Sequence, residues 1–186
     1  MVDVSVQTDE QLAADAAREG SDGPAFTELV RRFQDRVWRI CYRLLDNEHD
    51  AHDAAQEVFV RLFTGRDQFA GRSKYSTWVH GVAVKTSLSI RRGRSRRKRR
   101  VGEMGPGVEA ASDASDVQTP LAIDLEGMLE TLDDEDRAMI LLKYAEDYSY
   151  DELAEIFGLS VSGCKMRISR AREKLRERYP GALREP

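Results

Sequence analysis

The chain of 186 residues predicts an all-α protein: two helical domains joined by a flexible acidic linker, the C-terminal one containing a helix-turn-helix. Three observations predict this. Apolar residues recur at three- and four-residue spacing through most of the chain, the period of helices that bury one face. No stretch makes a convincing strand. Between the periodic parts lies VGEMGPGVEAASDASDVQTP, rich in Gly, Pro, Ser and Asp and poor in large apolar residues, the composition of a linker.

The elements follow in order. Residues 1–7 read as a disordered tail. Thr8 can cap a helix through about Glu19, with Asp9 and Glu10 in its favourable first turn. Gly20 to Pro24 breaks it. The next helix carries Phe26, Leu29, Val30, Phe33, Val37, Ile40, Cys41, Leu44 and Leu45 on one stripe. After a turn at Asp46–Glu48, a helix from about Asp50 to Phe63 turns Ala51, Ala54, Ala55, Val58, Phe59 and Leu62 inward. Gly65–Gly71 reads as a loop, and a helix from about Tyr75 to Arg92 packs Trp78, Val79, Val82, Ala83, Thr86 and Ile90. These helices make one bundle, spanning residues 8–95. Periodicity is lost from about residue 93, and residues 96–119 form the linker. Helices at Leu121–Leu132, Glu135–Tyr144, Ser149–Phe157 and Val161–Arg178 make a smaller bundle over residues 120–180.

The formal charge is −4, so no global basic field announces nucleic acid; the charge is segregated instead. Arg91–Arg100 reads RRGRSRRKRR, Val101–Asp136 holds carboxylates and no Lys or Arg, and Lys165–Arg178 is basic again. Cys41 and Cys164 are the only cysteines, both on apolar stripes, and read as buried reduced thiols; the absence of a CxxC pair argues against a zinc ribbon or redox motif. His49 and His52 lack a third ligand nearby, so no metal site is expected. The acidic, polar N-terminus does not resemble a signal peptide, and no apolar run has the length of a membrane span, so a cytoplasmic location without membrane contact is expected. No nucleophile–base pair, phosphate loop or metal cluster points to catalysis, so neither an enzyme nor a cofactor is expected.

The most specific segment is YSYDELAEIFGLSVSGCKMRISRAREKLRER. Ser149 and Glu152 form a capping box. Leu153, Ile156 and Phe157 give the short helix an apolar face, and Gly158 stands where a left-handed residue ends it. Ser160 can cap the next helix, in which Cys164, Ile168, Ala171 and Leu175 share one side. Ser162, Met166, Ser169 and Arg170 point the other way, flanked by Lys165, Arg167 and Arg172. A small, polar and basic front on an apolar back suits the DNA major groove. The alternative is a charged surface helix of a bundle. Upstream, Asp53, Gln56, Glu57 and Val60 share one helix face, which suits an Arg-rich helical partner or, alternatively, plain solvent with Glu57 paired to Arg61. Lys74, Tyr75, Ser76 and Trp78 mix a cation, a hydroxyl and aromatics ahead of a helix ending in Arg91 and Arg92, a mixture suited to single-stranded DNA; Trp78 also shares a stripe with Val82 and Ala83 and so reads as a core anchor.

Four segments in order resemble the extracytoplasmic-function (ECF, group 4) sigma factors of bacterial RNA polymerase: AFTELVRRFQDRVWRICYRLL, DAHDAAQEVFVRLF, YSTWVHGVAVKTSLSIRRGRSRR, and the helix-turn-helix ending CKMRISRAREKLRE. The resemblance covers about residues 10–178. It implies a promoter-specificity subunit that directs core RNA polymerase to promoters and helps melt them. Asp53, Gln56 and Glu57 would help dock the β′ clamp, with the β subunit as a further partner surface. Ser162, Lys165, Met166, Arg167 and Arg170 would read the minus-35 element of promoter DNA. Lys74, Tyr75, Ser76, Trp78, Lys85, Arg91 and Arg92 would meet the minus-10 element. The family usually has Asn followed four residues later by Asp where this chain has Lys85 and Ser89, so the downstream element should be read differently. The linker would compete with RNA for a basic channel or, alternatively, act as a plain spacer, and an anti-sigma protein is a candidate partner, through which alone the chain would contact a membrane. The rival reading is a stand-alone helix-turn-helix repressor or activator, which would bind duplex DNA without polymerase, as a dimer on a two-fold site.

Overall fold

The computed structural model describes residues 4–19, 23–103, 125 and 127–180, and every regular element among them is helical. The helices are α1 (Asp9–Arg18), α2 (Pro24–Leu45), α3 (Glu48–Thr64), α4 (Tyr75–Glu103), α5 (Asp134–Ala145), α6 (Tyr150–Phe157) and α7 (Val161–Arg178), with short 3-10 turns at Val4–Val6 and Arg66–Gln68. The chain divides into two compact units, the first through Ser87 and the second from Leu88.

In the first unit the helix starts are those that the side chains dictate. Thr8 forms a capping box with Gln11, and Asn47 caps α3 through the Asp50 N–H at 2.9 Å. Pro24 occupies the first turn of α2, where its missing N–H costs nothing. Asp46 adopts a left-handed conformation (φ 52°) and ends α2. The stripe of α2 is buried as spaced: Leu29, Phe33, Val37, Ile40, Cys41, Leu44 and Leu45. Ala51, Ala54, Ala55, Val58 and Leu62 of α3 pack with it, and Val79, Ala83 and Val84 of α4 are buried too. Cys41 is free and buried, and burial pushes its thiol up to about 11, which makes it an inert core residue.

Three expectations change here. The tail is not structureless throughout: Arg32 donates to the carbonyls of Ser5 at 3.0 Å and Gln7 at 2.8 Å and to the Asp9 carboxylate at 2.9 Å, so it draws the Val4–Val6 turn onto α2. The basic run does not end its helix: α4 continues to Glu103, because Arg and Lys are good helix formers and their charge does not remove a backbone bond. The predicted linker is therefore helical over 96–103, and its remainder, 104–119, lies outside the described residues. Of the predicted helix Leu121–Leu132, residue 125 and residues 127–129 are helical and 121–124 and 126 lie outside that set.

Glu28 is a nearly buried carboxylate held by two guanidiniums. Arg31 donates to it through two nitrogens at 2.8 Å each, and Arg32 through Nε at 2.8 Å. These bonds, Arg31 foremost, lower its carboxyl from the ordinary 4.5 to about 2. A depressed acid contributes stability above its unfolded pKa that is lost as pH falls through the folded one. The first unit should accordingly lose stability between about pH 4.5 and pH 2, and Glu28→Gln should flatten that part of the profile. Urea denaturation followed by tryptophan fluorescence checks this, since both tryptophans, Trp38 and Trp78, lie in the first unit.

Candidate functional site

The second unit builds its exposed helix α7 from the turn outward. Ser149 accepts the Glu152 N–H at 3.2 Å while the Glu152 carboxylate accepts the Ser149 N–H at 2.8 Å, closing the expected capping box of α6. Gly158 is left-handed (φ 68°), its N–H donates to the Ala154 carbonyl, and the Leu159 N–H reaches the same carbonyl at 3.0 Å. Ser160 then caps α7 by accepting the Gly163 N–H at 3.0 Å. A Cβ at residue 163 would stand 3.1 Å from that same Ser160 hydroxyl, so the glycine seats the cap. Cys164, Ile168, Ala171 and Leu175 are buried, as their spacing requires, which leaves Ser162, Lys165, Met166, Ser169 and Arg170 exposed on the opposite side.

Arg167 goes elsewhere. It lies on the flank of the buried stripe, and its guanidinium faces the first turn of α5: Nε donates to Asp136, Nη1 to Glu135 at 2.9 Å and Nη2 to Asp133 at 3.4 Å. Burial disfavours the charged form of Asp133, but bonds from Asp136 and the nearby Arg167 outweigh it and hold that carboxyl below the usual range. Arg91 and Arg92, in the same unit, are also paired, to Asp134 and Glu135 at 2.8 Å each. An unforeseen aromatic supports Lys165: its ammonium lies 5.5 Å from the centroid of Tyr150, whose ring also meets Lys143 at 4.8 Å. The paired lysines could not be read from spacing, because Lys143 and Lys165 come from different helices.

In the first unit Asp53, Gln56, Glu57 and Val60 are exposed along α3, so the predicted shared face exists. His49 lies 3.5 Å from Asp53, and Arg61 donates to Glu57 at 2.7 Å. Gln56 also lines a groove of about 600 Å³ between α2 and α3, with Val30, Gln34, Trp38, His52 and Phe59. Trp38 stacks on Tyr42 at 5.2 Å, and its Nε1 is buried without a hydrogen-bond partner. Trp38 and His52 were not foreseen as part of this face; the aromatic spacing Trp38–Tyr42 was the available signal.

At the start of α4, Lys74 is exposed and Ser76 half-buried. Tyr75 is a correction: it is only 3% exposed, packed edge-on against Phe33 at 5.7 Å and Phe69 at 5.0 Å, with its N–H donating to Glu10 at 3.2 Å. Its ring belongs to the core and offers no face to a base. Burial raises its phenol well above the ordinary tyrosine value. Trp78 is half-buried against Phe69 and Tyr75, at 5.6 and 5.5 Å. Lys85 and Ser89 are exposed one turn apart on one face. Among the described residues no cluster of three His, Cys, Asp or Glu could hold a metal, and no helix is long and apolar enough to cross a membrane.

These two units carry, in order, the parts of a sigma-70 protein: residues 29–97 match Sigma-70 region 2 and residues 122–175 match Sigma-70, region 4. The chain is 32% identical over 169 residues to the ECF RNA polymerase sigma factor SigW of Bacillus subtilis, spanning 84% of this chain and 89% of that one. It is 33% identical over 171 residues to the ECF RNA polymerase sigma factor SigE of Mycolicibacterium smegmatis, spanning 88% of this chain and 65% of that longer one. The solved structure of CnrH in complex with the cytosolic domain of CnrY is 26% identical, with a TM-score of 0.64, and the match covers 94% of this chain and 98% of that one. The chain belongs to the ECF RNA polymerase sigma factors.

The turn that aims α7 can be tested by itself. No atom lies within 4 Å of a Cβ built at Gly158, so Gly158→Ala meets only the backbone cost of a left-handed alanine. It should destabilise the second unit by about 1 kcal/mol, read by hydrogen exchange at the α6 and α7 amides, with the tryptophan-monitored unfolding of the first unit unchanged.

Proposed function

We propose that this sigma factor works through three surfaces, on α7, α3 and α4, and acts by binding rather than by catalysis. The exposed front of α7 reads the minus-35 element of duplex promoter DNA. Lys165 and Arg170 grip phosphates or guanine edges, Ser162 lies near the entry of the helix, and Met166, 55% exposed, can touch a thymine methyl. The observation that carries this reading is the coincidence on one capped helix of a fully buried apolar back and an exposed basic and polar front.

The α3 face of Asp53, Gln56 and Glu57 docks core polymerase at the β′ clamp, with the neighbouring groove taking an apolar or aromatic contact beside Trp38. Its carboxylates suit a cationic helix and set the rate of encounter as much as the affinity. Lys74, Ser76 and Lys85 meet the strand opened at the minus-10 element, with Tyr75 and Trp78 holding the start of α4 from within; Arg91 and Arg92 are already paired to Asp134 and Glu135. Lys85 and Ser89 make that contact less discriminating than an amide and an acid would, because an ammonium attracts phosphate without reading a base in two places. The protein acts in the cytoplasm, where its polymerase is.

Transcription with core polymerase on a promoter library should give discrete starts that depend on this protein and share two upstream elements. Starts that appear equally without it, with a folded protein and a cognate core enzyme, would refute the reading; tight duplex binding without polymerase would favour a repressor. Within that assay Lys165→Ala and Arg170→Ala should each cost about 1–3 kcal/mol of promoter binding, with α7 still helical by circular dichroism. Asp53→Lys combined with Glu57→Lys should slow association with core polymerase about tenfold at low salt and far less at high salt.

A further inference from the structure

We infer that Arg167 is a positioning residue: it clamps α7 against the first turn of α5 and sets the angle of the reading helix, without itself contacting promoter DNA. This rests on the reading of α7 as the minus-35 helix.

Four observations on the second unit carry it. First, all three guanidinium nitrogens of Arg167 are already directed at carboxylates, on Asp136, Glu135 and Asp133. Three of its five N–H donors are so engaged, and a bidentate grip on guanine needs two free ones in one plane and facing the groove. Second, the side chain is 30% exposed, whereas Lys165, Met166, Ser169 and Arg170 are on the open side of the helix. Third, the acids are fixed in place before Arg167 reaches them: Asp133 caps α5, its carboxylate accepting the N–H groups of Glu135 at 3.1 Å and Asp136 at 2.8 Å. Asp133, Glu135 and Asp136 therefore occupy a rigid turn of like charge, and one guanidinium relieves their repulsion while it joins two helices through residues 31 apart in sequence. Fourth, Arg167 flanks the buried stripe of Cys164 and Ile168, so a tie at that point resists the roll of α7 about its own axis. Rotation there would swing Lys165, Met166 and Arg170 away from their base edges together.

Direct contact and clamping predict opposite signs for the acids. If Arg167 gripped DNA, removing Glu135 and Asp136 would free it, take negative charge from the interface, and strengthen specific binding. If it clamps, removing them loosens the reading helix. The experiment measures the full-length protein in holoenzyme on a promoter carrying the minus-35 element selected above, against a duplex lacking it, over a range of salt. Glu135→Gln with Asp136→Asn should lower the ratio of specific to nonspecific binding. Arg167→Gln should lower it about tenfold, the size of one lost charge-assisted hydrogen bond, with no change in the slope of log affinity against log salt. Lys165→Gln and Arg170→Gln are the controls, each reducing that slope by about 1. The exchange Arg167→Glu with Asp136→Arg should recover most of the ratio lost in Arg167→Glu alone, which also answers a variant that merely unfolds. A slope reduced by Arg167→Gln as it is by the controls, a higher ratio on removing the acids, or no recovery in the exchange overturns the clamp. Controls without effect would instead overturn the reading of α7, a distinct result.

Discussion

A single left-handed residue determines where the exposed helix α7 points. Gly158 ends α6, its neighbour Leu159 reaches back to the same Ala154 carbonyl, and Ser160 starts α7 immediately afterwards. No residue between the two helices is spare, so the direction of α7 follows from backbone torsions that only glycine adopts cheaply. Once the direction is set, Cys164, Ile168, Ala171 and Leu175 have one way to be buried, and the basic front has one way to face outward. Arg167 adds a second tie against rotation by engaging the acidic turn of α5.

Charge plays a different part at each level of this molecule. Inside the first unit Glu28, Arg31 and Arg32 join an N-terminal turn to a core helix, so ion pairs there serve architecture. Along α3 the carboxylates stay on the surface, with Glu57 paired to Arg61 one turn away. Exposed pairs of that kind contribute little to folding and can be exchanged for a partner at small cost. Around the first turn of α5 the acids are matched by arginines from two other helices, Arg91 and Arg92 of α4 and Arg167 of α7. A formal charge of −4 thus conceals surfaces that would each attract a different partner.

Much of this was legible from spacing and chemistry. The capping box of Ser149 and Glu152, the left-handed Gly158 and the cap at Ser160 all depend on residues within four positions of one another, and local rules suffice for them. The same holds for the buried stripe of α2 and for the exposed face of Asp53, Gln56 and Glu57. What escaped was set by contacts across the fold. Tyr75 stands at a helix start, where an aromatic can face either way, and Phe33, 42 positions upstream in the numbering, decides that it faces in. Arg167 looks like any other cation on α7 until the acidic turn of α5 is placed beside it. The α2–α3 groove needs two helices side by side before Trp38 and His52 belong to one surface. The helical run beyond Arg92 was missed for another reason: loss of apolar periodicity means loss of a buried face, and a helix persists without one when its residues have high intrinsic propensity.

Successive residues of a helix are turned by about 100°, so Arg91, Arg92, Arg94, Arg96 and Arg97 radiate to every side of α4 rather than forming a stripe. Arg91 and Arg92 are matched by Asp134 and Glu135, so the positive field of this segment is strongest on the sides that those acids leave open. The segment offers its charge over a wider arc than a striped helix would.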